Sequence, residues 1–403
     1  MQFNRNVVVL TYKNKVVLAN AYNGYWIRLT KEVYSYFSDA IRKKIDKNIF
    51  IEQFQDFNDQ QYINSIHNKM IKLGIIGNYN NKRKKEVSFE ITNRCNLRCK
   101  HCCIMANSIQ EELTTNEVYS AFNKVIKWNP DNITISGGEP LLRQDIQELL
   151  LYLREYYNGK ITLSTNALLI DEDNIEVLKK CVDYIEISID GVDEKSCREI
   201  RGEGVFEHVI QKVRFLQNND CNNISLSMVV SDKNIELERS FKKLNEQLGT
   251  YPVIRVLAFV GRSKEERAKL SNLKQNEVYI PEVFFDDKQP FVFWGNCLLK
   301  NSKRMIRTNG NILSCPLIVE DEYSIANIKD VLSLDQLNNS KMYALKENLL
   351  QTNSFCQDCA VKSFCWNCLA TIKEYTENNS MKDYCQKVKN YYFKIVWGED
   401  KIC

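Results

Sequence analysis

Histidine is nearly absent from this chain, with three residues in 403. His67, His101 and His208 stand far apart, so neither a histidine-centred metal site nor a histidine-dependent catalytic triad is written into the sequence. An excess of one charge sign is missing too. Lys and Arg number 55 against 51 Asp and Glu, and the formal net charge of +4 is too small in so long a chain to argue for nucleic acid. No apolar run reaches transmembrane length, and Met1 to Asn6 followed by Val7 to Leu10 lacks the apolar core and cleavage site of a signal peptide. The expectation is a cytoplasmic protein with no membrane and no nucleic-acid partner. The one dense basic run, Lys82 to Lys85, reads as a solvated linker.

What the chain has in excess is cysteine. Fifteen cysteines are more than packing needs, and disulfides do not persist in a reducing compartment, which leaves metal or cluster ligation. A hydrophobic content of 44% and a charged content of 26% are those of an ordinary globular protein, and the length suggests two or three domains. The most specific feature is Cys95-x3-Cys99-x2-Cys102, directly after a short apolar strand. Three thiolates at this spacing can hold three corners of a [4Fe–4S] cubane and leave the fourth iron without a protein ligand, open to chemistry. Structural zinc prefers closed four-ligand sites, and Cys103 adjoins the run without completing such a spacing.

Three blocks follow one another: 1–80, 81–289 and 290–403. The first opens with two β-rich runs, Asn6 to Tyr12 and Lys15 to Ala19, joined by a hairpin at Lys13-Asn14. Helical patterns at about 30–43, 48–54 and 59–73 come next, with Gly74 as C-cap, and together they make a small winged-helix-like unit. The second block alternates strands (Val87 to Thr92, Asn132 to Ser136, Lys160 to Ser164, Tyr184 to Ile189, Ile224 to Val230, Val253 to Ala258) with helices such as Thr115 to Trp128, Gln144 to Tyr157 and Glu236 to Leu248. Repeated βα units imply a parallel sheet, and six of them fit a partial (β/α)6 barrel with its chemistry at the C-terminal strand ends. The third block loses this rhythm and gains Cys297, Cys315, Cys356, Cys359, Cys365, Cys368 and Cys385. A cofactor-stabilised fold or a zinc ribbon both suit such a segment.

From about residue 86 onward the chain resembles the radical S-adenosylmethionine (SAM) enzymes that carry a C-terminal cysteine-rich SPASM domain. The resemblance implies an α/β partial barrel whose Cys95, Cys99 and Cys102 hold a SAM-binding cluster. It implies SAM contacts from Gly137-Gly138-Glu139-Pro140 after the second strand, from Ser164 and Asn166 after the third, from Ser188 and Asp190 after the fourth, and from Arg201. The late cysteines follow the SPASM pattern except that two residues, not three, precede Cys368. By that analogy Cys356, Cys359, Cys365 and Cys385 hold one auxiliary [4Fe–4S] cluster and Cys297, Cys315 and Cys368 the other, for three clusters in all. The second set has three ligands. An open iron able to bind a substrate thiolate, a remote ligand such as Cys403, and distortion by the shortened spacing all stay open.

The first block is similar to the leader-peptide recognition element of ribosomal-peptide maturases, which adds a precursor's leader as a strand to its sheet edge. The resemblance implies a maturase that takes hydrogen from a precursor peptide with a 5′-deoxyadenosyl radical and forms cysteine thioether crosslinks, as sactisynthases do. An electron donor such as flavodoxin or ferredoxin is then required. Carbon–carbon crosslinking and epimerisation begin with the same abstraction. A sulfatase-maturase-like oxidase is a further enzyme reading, and a non-catalytic iron–sulfur or zinc peptide-binding module is the reading from another class. Cys181, Cys197 and Cys221 lie outside every pattern and read as packed thiols. Phe291 to Trp294 is a candidate channel lining or core segment.

Overall fold

The computed structural model describes residues 1–78, 84–108, 111–274, 277–280, 302–366 and 368–398. Cys297, Cys403, Phe291 to Trp294 and part of the Lys82 to Lys85 run lie outside the described residues. The chain divides into two compact units, residues 1–82, 275–300 and 343–403 in one, residues 83–274 and 301–342 in the other.

The first unit is built on an antiparallel sheet in the order β1 (Val7–Tyr12), β2 (Lys15–Asn20), β3 (Trp26–Thr30). Lys13 turns the expected hairpin with φ of 48°, pairing Tyr12 with Lys15. The third strand was not expected. Its Trp26-Ile27-Arg28-Leu29-Thr30 alternation buries Ile27 and Leu29 and sends Trp26 and Arg28 to the other face. Helices Lys31–Arg42, Lys47–Glu52 and Phe57–Lys72 follow, each started by a side-chain cap (Thr30, Asp46, Asp56). Val16, Leu18, Ile27 and Leu29 pack on Phe37, Phe50, Ile63 and Met70 from these helices. The opposite face is covered from the C-terminal part of the same unit. Tyr12 sits 5.4 Å, ring to ring, from both Phe393 and Trp397 of helix Met381–Trp397, and Trp26 lies 5.4 Å from Phe364. Arg28 donates to the carbonyls of Ile395 and Val396 at 3.0 Å, where the helix leaves carbonyls unpaired.

The second unit holds a nine-stranded sheet. Strands β4 (Glu86–Glu90), β5 (Asn132–Ser136), β6 (Lys160–Thr165), β7 (Tyr184–Ser188), β8 (Ile224–Val230) and β9 (Tyr251–Val256) run parallel in chain order, which is the six-membered βα series expected. The late block adds to it. Strand β10 (Lys303–Ile306) joins β4 in parallel, and β11 (Asn311–Leu313) and β12 (Ala326–Asn327) extend it antiparallel. Helices Thr115–Trp128, opened by a Thr114–Glu117 capping box, Ile146–Tyr156, Val205–Asn218 and Glu238–Leu248 cover one face. Their Phe122, Val125, Leu149, Leu153 and Val213 meet Phe89, Ile133, Ile135, Leu163 and Ile187 of the strands in one core. Cys181 and Cys197 are fully buried in that core, as packed thiols.

Candidate active site

The other face of the parallel sheet carries rows of polar side chains, with Val229 and Val256 among them on β8 and β9. Ser88 and Glu90 of β4, Thr134 and Ser136 of β5, Thr162 and Ser164 of β6, Glu186 and Ser188 of β7, Ser227 of β8 and Arg255 of β9 line a cavity of about 520 Å³. Period-two alternation places these side chains opposite the apolar ones. The volume lies in the range of small-molecule pockets. At the C-terminal strand ends the same cavity is bounded by Cys95, Cys99, Cys102, Gly137, Gly138, Asn166, Asp190 and Arg201.

The cysteine loop after β4 carries no regular structure, so its shape is imposed by side chains from elsewhere. Glu112 accepts from Thr92 Oγ1 at 2.7 Å and from the Asn93 amide at 2.8 Å. Asn107 accepts from the Cys95 amide and donates to the Cys95 carbonyl, at 2.8 and 2.9 Å. Buried Arg262 donates to the carbonyls of Cys99 and Ala106, at 2.9 and 2.6 Å. Cys99 is buried and Cys95 and Cys102 half-buried. Burial pushes the Cys95 thiol up to about 11, and Cys99 and Cys102 are near enough to raise it further. Donors point at the sulfurs: Leu97 N to Cys95 Sγ at 3.4 Å, Ala106 N to Cys102 Sγ at 3.3 Å and Arg201 Nη1 to Cys99 Sγ at 3.6 Å. Among the described residues no group of three or more His, Cys, Asp or Glu is arranged to hold a metal ion. Three neighbouring thiols with hydrogen-bond donors at each sulfur suit the separated corners of a cluster instead.

The Gly137-Gly138 turn lies against this loop, backbone to backbone. Gly138 N donates to Thr92 O at 2.7 Å and Glu139 N to Arg94 O at 2.8 Å. A Cβ on Gly138 would fall 2.2 Å from Arg94 O, and Gly137 has φ of +143° with Thr92 O 2.3 Å from its would-be Cβ. Only glycine fits both places. Glu139 and Pro140 turn away from the cavity into the protein. The Glu139 carboxylate accepts from Thr165 Oγ1 and the Asn166 amide at 2.7 Å and from the Leu141 amide at 3.1 Å, so it fastens the turn to the end of β6. Burial still raises its carboxyl above the usual range. Asn166, thus fixed, donates to Asn96 Oδ1 at 2.6 Å beside Cys95.

Asp190 follows β7 in the left-handed region with φ of 52°. Its Oδ1 accepts from the Val229 amide at 2.6 Å, and its Oδ2 meets Arg201 Nε and His101 Nε2, each at 2.6 Å. Burial works to raise this carboxyl, but Arg201 and then His101 outweigh it and hold Asp190 well below the usual aspartate range. His101, which sits inside the cysteine run, is thereby tied to a residue 89 positions away. Sequence reasoning missed this contact, as it missed Glu90 and the Glu186–Arg255 pair at 2.8 Å on the cavity wall. The strand alternation was the signal for the last two.

In the first unit Cys356, Cys359, Cys365 and Cys385 are near enough for the other three to raise the Cys365 thiol, after burial. Cys315 and Cys368 belong to different units.

Comparison with known proteins agrees with this geometry. Residues 89–244 match the family model described as the Radical SAM superfamily, so the chain carries a radical SAM domain. It is 28% identical over 268 residues to Fe-coproporphyrin III synthase of Methanosarcina barkeri, covering 65% of this chain and 66% of that one. It is 25% identical over 263 residues to mycofactocin maturase MftC of Mycolicibacterium smegmatis, covering 60% of this chain and 67% of the relative. The chain thus spans about two thirds of the length of these curated relatives. Streptococcus suis SuiB bound to S-adenosylmethionine shares the fold with a TM-score of 0.55 at 19% identity, over 94% of this chain and 98% of that one. SuiB bound to precursor peptide SuiA gives 0.54 at 17% identity, over 92% and 96%.

Proposed function

We propose that this chain is an enzyme that modifies a ribosomally synthesised precursor peptide by radical SAM chemistry, and that the bond it forms is a cysteine thioether crosslink. The observation that carries this reading is a loop of three thiols bounding a cavity of about 520 Å³ at the strand ends of a radical SAM domain. Cys95, Cys99 and Cys102 would hold a [4Fe–4S] cluster with one iron left for SAM. Such a site, when loaded, supplies a 5′-deoxyadenosyl radical that takes a hydrogen atom from the substrate.

The chain's own residues orient and enclose. Gly137 and Gly138 offer backbone at close range; Ser164, Asn166 and Ser188 offer hydrogen bonds along the strand ends. Arg201, kept charged by Asp190, faces the Cys99 sulfur and is placed to meet a carboxylate. Cys356, Cys359, Cys365 and Cys385 are assigned to one auxiliary cluster, and Cys297, Cys315 and Cys368 to another. We keep the division into 1–80, 81–289 and 290–403 as leader recognition, radical chemistry and auxiliary clusters. Strands β1 and β3 each pair on one side only among the described residues, which supports leader docking as an added strand. Mycofactocin maturase and peptide-bound SuiB support a peptide as substrate. Electrons would come from a flavodoxin or ferredoxin. Among the described residues no helix is long and apolar enough to cross a membrane.

Anaerobic co-expression with a cysteine-containing precursor peptide tests the proposal by accurate mass. Loss of about two mass units per site, with resistance to thiol alkylation, is the expected result, since each crosslink removes two hydrogens. A peptide recovered at its encoded mass, alongside intact SAM, overturns it.

A further inference from the structure

The cavity wall carries a carboxylate that the function above does not use. Glu90 ends β4 on the polar face, in line with Ser88 and next to Ser136 across the ladder. It is 2% exposed. Arg307, just past β10, brings Nε to 2.7 Å from Glu90 Oε2. Among the described residues Oε1 has no hydrogen-bond partner, although it is fully buried. A buried carboxylate oxygen left unsatisfied is a standing cost to the fold, and such groups recur where chemistry needs them.

The surroundings set the charge that Glu90 can carry. Ser136 on the β5 side is neutral, and Arg307 on the β10 side is the cation beside it. Cys103, from the cysteine loop, is pushed up to about 12 by burial and stays a thiol. The remaining charges on the cavity are paired among themselves, Glu186 with Arg255 and Asp190 with Arg201. Burial therefore dominates: it lifts the Glu90 carboxyl to about 7 against the pull of Arg307. A carboxylate balanced there can take up and release a proton near neutral pH.

We propose that Glu90 is the proton acceptor of the cavity and that it deprotonates the substrate thiol during crosslinking. The proposal rests on the thioether reading above. In this step the S–H bond breaks, its electron pair stays on sulfur, and an O–H bond forms at Glu90 Oε1. The products are a thiolate and a neutral carboxylic acid, and no electron is gained or lost.

The test uses the full-length reconstituted enzyme with SAM, dithionite and a cysteine-containing precursor deuterated at the acceptor residue. Glu90→Gln retains a group that can accept from Arg307 but no longer takes a proton. The expected result is 5′-deoxyadenosine formation and deuterium transfer within about threefold of the unaltered enzyme, with crosslinked product reduced about a hundredfold. Glu90→Asp recovers part of the product. In the unaltered enzyme, crosslinks per 5′-deoxyadenosine fall as the pH drops below about 7, whereas in Glu90→Gln the ratio is low and flat.

An unchanged ratio and pH profile in Glu90→Gln overturn the proposal. Should that variant fail to assemble, a pH-independent ratio in the unaltered enzyme overturns it equally. SAM cleavage with deuterium transfer but a mass-neutral peptide removes the thioether reading and, with it, the need for a proton acceptor. Absence of SAM cleavage in the unaltered enzyme refutes the radical reading itself.

Discussion

The antiparallel sheet of the first unit and the parallel sheet of the second are built on opposite patterns. Antiparallel strands commonly alternate because one face meets water, and parallel strands commonly read as unbroken apolar runs because both faces are packed. Here β2 is the unbroken run: Val16, Val17, Leu18 and Ala19 are all fully buried, two against the helices that follow the sheet. The other two share their face with Tyr12, Trp26 and Arg28, which reach residues 364–397. Strands β4 to β7 alternate instead, as in Val87-Ser88-Phe89-Glu90 and Ile185-Glu186-Ile187-Ser188. A parallel strand that alternates has a cavity, not a core, on its second face. The pattern thus separates a sheet built for support from a sheet built around a site.

Removing a thiol from the site sheet has the largest expected effect. Cys99→Ala lowers 5′-deoxyadenosine formation at least about a hundredfold and costs about four irons per chain by elemental analysis, while the fold, judged by circular dichroism, persists. Retention of SAM cleavage would separate the chemistry from this loop.

The comparison itself is broken most directly by exchanging polarity. Val17→Asp puts an unpaired charge at a site with 0% exposure, at a cost on the order of 5 kcal/mol, enough to unfold the first unit in a denaturant titration. Ser164→Val on the cavity wall changes stability by less than about 1 kcal/mol and lowers SAM affinity instead. Equal stability losses would mean that the polar face is a packed core after all.

Asp190→Asn follows in size. It leaves Arg201 buried without its charge partner and lowers stability by about 3 kcal/mol. The sign with pH is fixed by the depressed Asp190 carboxyl, whose contribution is complete above the unfolded aspartate value near ~4 and disappears as the pH falls toward the folded one. The gap between the unaltered protein and Asp190→Asn therefore narrows as the pH falls below about 5. Chemical denaturation above and below that pH measures it.

The same contrast explains what was legible. Strands β5 and β8 begin and end where the sequence pattern put them, because alternation or a long apolar run is a local signal. Strand β3 escaped notice because Arg28 and Trp26 are placed for contacts with residues 364–396, more than 300 positions away. Strands β10 to β12 contain four, three and two residues, too short for any period to register, and β10 finds its partner in β4. At the site, the cysteine spacing and the paired glycines were readable as motifs. The contact of His101 with Asp190 and the buried oxygen of Glu90 were not, since both depend on which distant loops close over the strand ends.

Arg28 offers the finest test of the support sheet. Its guanidinium lies over the last turn of helix Met381–Trp397, donating to two carbonyls that the helix itself cannot pair, and Gly398 ends that helix in the left-handed region with φ of 63°. A cation at a helix C-terminus also meets the negative end of the dipole, an effect of about 0.3–1 kcal/mol. Arg28→Ala removes both contributions and uncovers part of the helix end, for a total near ~1 kcal/mol. Arg28→Lys keeps the charge but only one donor direction and recovers about half of it. Because neither change touches the cavity, SAM cleavage is expected to continue in both. A larger loss of peptide modification than of stability would then mark this face of the sheet as part of how the substrate is held.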